Sequence, residues 1–340
     1  MFSHLPSFHN RSELSHTRTT GLSALLCLAV VIFPTAIWAQ TYQVPPSKHV
    51  VVVALENTPY SYVTSTSMPW VYSLMQKNGL MSQFYATTHP SLGNYFSLTT
   101  GQIITNNDGS TATRPEDNIV RHMITAGVTW KSYAESLPSV GYTGGDQYPY
   151  VLHHNPFAYF SDVRNSSSEV LNLVPFTHFA TDLSNGQLPQ FTYIVPNQYH
   201  NAHDCPQGMS SCTETQKLQA ADSWLKQNLS ALLNSQPFQP GGDGQLYIWF
   251  DESFTSDTTN GGGHIFSSVI GPQVRAGHNG TTKYTHYSLL RTVMEALGMT
   301  TFPANAATSN DLKWMFNPTT TSTSSTNTVT ITSPASDSTV

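Results

Sequence analysis

The sequence predicts an α/β domain built on a parallel or mixed sheet. Three observations carry this: short apolar, β-branched runs, polar or acidic residues directly after them, and helical periodicity in between. His49-Val50-Val51-Val52-Val53-Ala54-Leu55 is the clearest of the runs, apolar without alternation as in a strand covered on both faces, and it stops abruptly at Glu56-Asn57. Met68 to Leu80 then reads as an amphipathic helix closed by Asn78-Gly79, and a second helix begins near Ser91 and continues through Tyr95 to Thr100. Ile119 to Ala126 reads as a third, stopped by Gly127, with the strand-like Val128-Thr129-Trp130-Lys131-Ser132-Tyr133 after it. Phe191 to Val195 and Gln245 to Phe250 are further strands, Glu214 to Leu233 is a helix between them, Ile265 to Ile270 is another strand, and Tyr287 to Leu297 is a helix ended by Gly298.

The ends of the chain differ in composition. Residues 1–39 read as an export signal: Arg11 and Arg18 precede an apolar run from Gly21 to Ala39, which closes on small residues, with cleavage expected before Gln40. Secretion or periplasmic export follows, with no stable membrane span left after the signal is removed. Residues 40–316 then form the folded domain. From 317 the chain becomes a Ser/Thr-rich linker, and residues 329–340 alternate like the first strand of a β-sandwich that is not completed here. Cys27 leaves with the signal. The remaining pair, Cys205 and Cys212, is spaced to bridge a short loop in an oxidising compartment.

Charge excludes one class of function. With a formal net charge of -6 and only 10% charged residues, the chain has no basic stripe to follow a nucleic-acid backbone. Candidate chemistry lies instead at the strand ends, where open α/β sheets place ligands. Glu56-Asn57, the segment Pro196 to Asp204, and Asp251-Glu252 each follow a strand. Acidic oxygens converging from strand tips suit a hard divalent cation, which phosphoryl chemistry uses to offset charge on the transferred group. Ser91 stands at a helix start, where unpaired N–H groups and the positive end of the helix favour an anion. Its neighbours are His89 and Asn94, the latter with an amide on the same helical face, able to donate to a phosphate oxygen.

These residues carry a resemblance over His49 to Leu297. The ordered set Leu55-Glu56-Asn57, His89-Pro90-Ser91-Leu92-Gly93-Asn94-Tyr95, Thr129 to Tyr133, His153-His154-Asn155-Pro156-Phe157, Val195-Pro196-Asn197 with His203-Asp204-Cys205, Phe250-Asp251-Glu252 and His286 to Thr292 resembles the bacterial phosphoesterase family that groups acid phosphatases with secreted phospholipases C. The likeness is greater to the acid phosphatase and phosphoinositide phosphatase branch. It implies an alkaline-phosphatase-like fold, with a central, mostly parallel sheet and helices on both faces. It implies Glu56, Asn57, Ser91, Asp251 and Glu252 as ligands of one or two divalent metal ions, with Ser91 as nucleophile. His153 and His154 match histidines that contact the phosphoryl group, and either His154 or His203 would protonate the leaving oxygen; His200 competes with His203 for its place. Two departures are Gly93, where relatives commonly carry Pro, and the glycine-rich turn, which comes late at Gly261-Gly262-Gly263-His264.

The expected reaction is hydrolysis of a phosphomonoester through a phosphoserine intermediate, the partner being a small phosphorylated substrate or a phospholipid head group. A phospholipase C or phosphodiesterase activity on the same site is the nearest alternative, and a secreted non-catalytic binding module, suggested by 16 Tyr and 6 Trp, is the alternative from another class. The chain lacks the Cys/Ser-x-Pro-x-Arg segment of sulfatases and the Gly-x-Ser-x-Gly elbow of serine esterases.

Overall fold

The run of valines after His49 forms the middle of the molecule: β1 (Val50–Leu55) is buried along its whole length. A computed structural model describes residues 37–323. Branching at Cβ makes such residues stiff in χ1 and well suited to an extended strand packed on both sides. The other strands of the main sheet are β2 (Gly79–Met81), β3 (Trp130–Ala134), β4 (Leu173–Pro175), β5 (Phe191–Val195), β6 (Gln245–Phe250), β7 (Ser267–Ile270) and β8 (His278–Gly280). Their order is β8-β2-β7-β6-β1-β5-β3-β4. Only β7 runs against the rest, pairing antiparallel with both β2 and β6. The expected mostly parallel sheet is present.

Helices cover both faces. Alternation along β1 and β5 sends Val52 and Tyr193 to one side, where Leu98 of α2 (Ser91–Thr100), Ile119 of α3 (Ile119–Ala126) and Leu290 of the C-terminal helix His286–Ala296 meet them. Val51 and Thr192 face the other way, toward Leu183 and Leu232, the latter on the helix Glu214–Leu233. That helix begins with a capping box between Thr213 and Gln216 and buries Leu218, Ala221, Leu225, Leu229 and Leu232, a stripe at helical spacing. Its Asp222 also caps a neighbour. The first helix, α1 (Pro69–Lys77), has no side-chain cap of its own, and the Asp222 carboxylate accepts from the N–H groups of Trp70 (3.0 Å) and Val71 (2.8 Å).

Two elements differ from the reading of the sequence. The helix expected to Leu80 ends at Lys77, and Gly79–Met81 turns into strand β2; a Cβ on Gly79 would lie 2.8 Å from Met315 and 3.0 Å from Val274, so this point of the chain is held by tertiary packing. The strand expected over Ile265 to Ile270 is split. His264–Ile265 pairs with Phe84–Tyr85 in a separate three-stranded sheet, and Ser267–Ile270 joins the main one. The signal and the Ser/Thr-rich tail fall mostly outside the described residues; their inner edges, Ile37–Thr41 and Thr319–Thr323, form a two-stranded sheet. Among the described residues no helix is long and apolar enough to cross a membrane.

The glycine-rich turn works as a brace. Gly262 donates to the Ala86 carbonyl, Gly263 accepts from Ala86, and Ser253 donates to Gly262, so the strand leading to Ser91 is tied to the loop after Asp251-Glu252. A Cβ on Gly262 would stand 2.2 Å from the Thr88 carbonyl oxygen, whereas one on Gly241 would meet nothing within 4 Å. Gly262→Ala should therefore lower stability by about 1–3 kcal/mol through overpacking against backbone. Gly241→Ala, whose only penalty is its positive φ of 86°, should cost about 1 kcal/mol. Urea unfolding of the two variants compares them directly, and equal losses would contradict the bracing role.

Candidate active site

Because β1 and β6 pair in register, with Leu55 opposite Phe250, the residues that follow them emerge side by side. Asp251 N–H donates to the Leu55 carbonyl (2.9 Å), and Asp251 Oδ1 accepts from Asn57 N–H (2.9 Å) and Glu252 N–H (2.6 Å). Asp251 Oδ2 has no hydrogen-bond partner although it is buried. Asn57 adopts a left-handed φ of 47°, which Asn tolerates better than most residues and which allows its N–H to turn back on Asp251.

Ser91 is the first residue of α2, after Pro90, and the N-cap residue offers this helix no side-chain cap. Its hydroxyl is therefore not spent as a cap and donates to Glu56 Oε2 at 3.2 Å. One turn later, on the same face, the Tyr95 hydroxyl donates to Glu56 Oε1. Asp108, from the loop after α2, accepts from Leu92 N–H (2.9 Å) in the same first turn. All ten residues of α2 are buried, unusual for a helix and consistent with one that serves as the floor of a site.

Asn94 stands behind the site. Its Oδ1 accepts from Thr87 N–H (3.0 Å), Thr88 N–H (3.1 Å) and Thr87 Oγ1 (2.9 Å), while Nδ2 donates to the Thr88 carbonyl (2.8 Å) and Glu252 Oε2 (3.0 Å). The amide expected to reach a phosphate oxygen is engaged by these groups, and it braces the Ser91 loop to Glu252. Gly93 has a local reason: a Cβ there would meet Asn106 Oδ1 at 2.2 Å and Thr88 Cγ2 at 2.6 Å.

Burial raises the pKa of all three acids. Glu56 is pushed well up by loss of water and by Asp251, against the hydrogen bond from Tyr95. Asp251 is raised by burial, partly offset by the N–H groups of Asn57 and Glu252. Glu252 moves from 4.5 to about 10, through burial and then the charges of Asp251 and Asp108. Around them lie further buried nitrogens without aligned partners: His154 Nε2, 3.1 Å from Glu56 Oε1, and His89 Nδ1, 3.1 Å from Glu252 Oε2. Among the described residues no three His, Cys, Asp or Glu side chains form a closed metal cage. The oxygens that gather here are those of carboxylates and the Ser91 hydroxyl, one Asp251 oxygen being without a partner, and such donors fit a hard cation.

The histidines separate into groups. His154 is buried, stacks on Tyr95 (5.3 Å) and packs edge-on to His153 (4.3 Å). Burial holds both below the usual imidazole range. His154 Nδ1 faces the amide nitrogen of Asn201 (3.4 Å), a donor, which leaves the ring proton on Nε2 toward Glu56. His203 lies 6.4 Å from the His154 ring, is about one-third exposed, and is paired through Nδ1 with Asp204 Oδ1 at 2.7 Å. His200 turns elsewhere, toward Glu135 (3.0 Å) and the face of Trp224. His203 is thus grouped with His154, whereas His200 belongs to another group. His264 stacks between Tyr60 and Tyr85, and His286 donates to the Asp251 carbonyl at 2.7 Å, so both support structure.

The sequence assigns no role to Tyr95 or Asp204, although both lie in its candidate segments, and does not point to Asp108. The i,i+4 spacing from Ser91 marks Tyr95, but nothing local marks Asp108, which reaches α2 across a long loop. Cys205 and Cys212 are bonded, closing the loop directly after His203-Asp204, worth roughly 2–3 kcal/mol by loop-closure entropy.

A carboxyl raised on folding binds a proton that the unfolded chain releases, so it subtracts stability as pH rises from the unfolded value toward the folded one. For Glu252 that window runs from 4.5 to about 10. Chelator-treated protein should lose Tm across this window, and Glu252→Gln, which cannot ionise, should show a shallower decline; matching slopes would refute the burial argument.

Comparison with known proteins places the chain in a family. The Phosphoesterase family profile matches residues 42–300. The chain is 30% identical to the probable acid phosphatase of Kluyveromyces lactis over 259 residues, 72% of this chain and 57% of that protein. It is 29% identical to the phosphatidylinositol-3-phosphatase of Mycobacterium tuberculosis over 273 residues, 79% of this chain and 83% of that one. The chain thus spans little more than half the length of the fungal acid phosphatases it resembles. In fold it is similar to a Vibrio parahaemolyticus protein of the alkaline phosphatase superfamily, with a TM-score of 0.54 at 14% identity, covering 83% of this chain and 74% of that one. With three-quarters of its length matched by the family profile, this chain belongs to the Phosphoesterase family.

Proposed function

We propose that this chain is an exported, metal-dependent hydrolase of phosphomonoesters that works through a phosphoserine at Ser91. The single observation that carries the reading is the Ser91 hydroxyl, first in a buried helix, donating into a cluster of three buried acids at strand tips. Glu56, Asn57, Ser91, Asp251 and Glu252 would hold a divalent cation, which when bound offsets charge on the phosphoryl oxygens and makes a serine hydroxyl more acidic.

The residues of the chain divide the remaining work. Ser91 Oγ attacks phosphorus as its proton leaves along the hydrogen bond to Glu56 Oε2. Tyr95 donates to the other Glu56 oxygen, which the His154 ring approaches to 3.1 Å. His154, buried and held neutral, is poorly placed to release a proton to a leaving group; His203, partly exposed with Nε2 free of its Asp204 contact, suits that role. In the second half-reaction water attacks the phosphoserine and gives its proton to His203, and Ser91 recovers its own.

Export is supported by the Cys205–Cys212 bond, which persists in oxidising compartments. A phosphoinositide head group carrying a monoester fits the same reading, in line with the name of the mycobacterial relative. Ser91→Ala should lower kcat on phosphomonoesters by at least about 10³-fold with the Tm little changed. Chelation should abolish activity and added divalent metal restore it. A panel of phosphomonoesters and phosphodiesters, assayed with several metals, would overturn the proposal if diesters were the better substrates or if Ser91→Ala kept substantial turnover.

A further inference from the structure

Asp204 makes two contacts that the proposed reaction leaves unused. Its Oδ1 lies 2.7 Å from His203 Nδ1, and its Oδ2 accepts from the Tyr148 hydroxyl at 3.1 Å. The backbone around this pair is held from several sides. His203 N–H donates to Asn201 Oδ1 (2.9 Å), Asp204 N–H donates to the Gln198 carbonyl (3.0 Å), and the Cys205–Cys212 bond closes the loop one residue later. Ala202, just before His203, adopts a φ of 77°, strained for a residue with a Cβ and sustained by the surrounding contacts. Tyr148 comes from the segment that leads into His153-His154, and its ring packs edge-on to Tyr199 at 5.3 Å. The loops bearing the two sets of pocket histidines are therefore joined by one carboxylate.

A histidine whose Nδ1–H is taken by a carboxylate has its tautomer and ring direction set, and its Nε2 is left to exchange a proton with a ligand. We propose that Asp204 is the positioning residue for His203, with Tyr148 fixing Asp204 in turn, so that His203 Nε2 is aimed at the leaving oxygen. This rests on the phosphomonoesterase reading above. As the P–O bond to the leaving group breaks, its electron pair takes the proton from His203 Nε2, leaving neutral imidazole still bound to Asp204. The attacking water later returns a proton to the same nitrogen. Asp204 gains and loses no proton in either step.

Leaving-group dependence separates positioning from mere structure, because a poor leaving group needs the proton and a good one does not. Asp204→Asn should lower kcat on an alkyl phosphate by about 10–100-fold and on 2,4-dinitrophenyl phosphate by less than about threefold. Tyr148→Phe should shift the same ratio in the same direction by a few-fold. His203→Asn should reproduce the pattern, and adding Asp204→Asn to it should change little, since the two act as a unit. Circular dichroism and Tm verify that each variant is folded. Equal losses on both substrates, or additive losses in the double variant, would overturn the inference. Failure of the underlying reading is seen separately, as retained turnover in Ser91→Ala.

Discussion

Three acids that repel one another in a dry place are the constraint around which this structure is arranged. Glu56, Asp251 and Glu252 are each almost wholly buried, and the Asp251 charge raises the proton affinity of the other two. Two unit charges 4 Å apart interact by about 4 kcal/mol at the effective dielectric typical of such sites. A single charge-assisted hydrogen bond returns only about 1.5–3 kcal/mol. The N–H groups of Asn57 and Glu252 on Asp251, and the hydroxyls of Ser91 and Tyr95 on Glu56, therefore lessen the conflict without removing it. A proton or a cation must complete the balance, and the orphaned Asp251 Oδ2 marks where positive charge is lacking.

Holding such a cluster requires rigid supports, and these come from sequence-distant segments. Asn94 links the Ser91 loop to Glu252, the triple glycine lies flat against Ala86 to Thr88, and His286 reaches the Asp251 carbonyl from the opposite helix. Each support is a backbone or amide contact rather than an ion pair. That choice suits the location: a further charged partner would neutralise the site and compete with its ligand, whereas amide dipoles orient the acids and leave their charge available.

The histidine loops follow a different plan. His154 is buried beside Glu56, where its ring stacks on Tyr95, while His203 is about one-third exposed, just ahead of the loop that the disulfide closes. One scaffold thus holds a fixed interior, made by strand tips and α2, and a rim whose orientation is set by local bonds. In the reaction proposed above, charge placement falls to the first and proton exchange to the second.

Much of this was legible in the residues alone. The valine run of β1, the polar tips after β1, β5 and β6, the start of α2 at Ser91 and the pairing of Cys205 with Cys212 are local patterns, set by strand periodicity, turn chemistry and loop length. What needed the tertiary structure was every choice between equivalent local candidates. His200 and His203 sit in one short loop, and only the position of Glu135 and Trp224 draws the first aside while Asp204 holds the second. Asn94 reads as an amide able to reach a phosphate oxygen, yet the Thr87-Thr88 turn and Glu252 enclose it. Sequence determines which groups each segment can offer; which of them meet is decided by packing, because a contact between residues 158 positions apart, as between Asn94 and Glu252, leaves no trace in either segment alone.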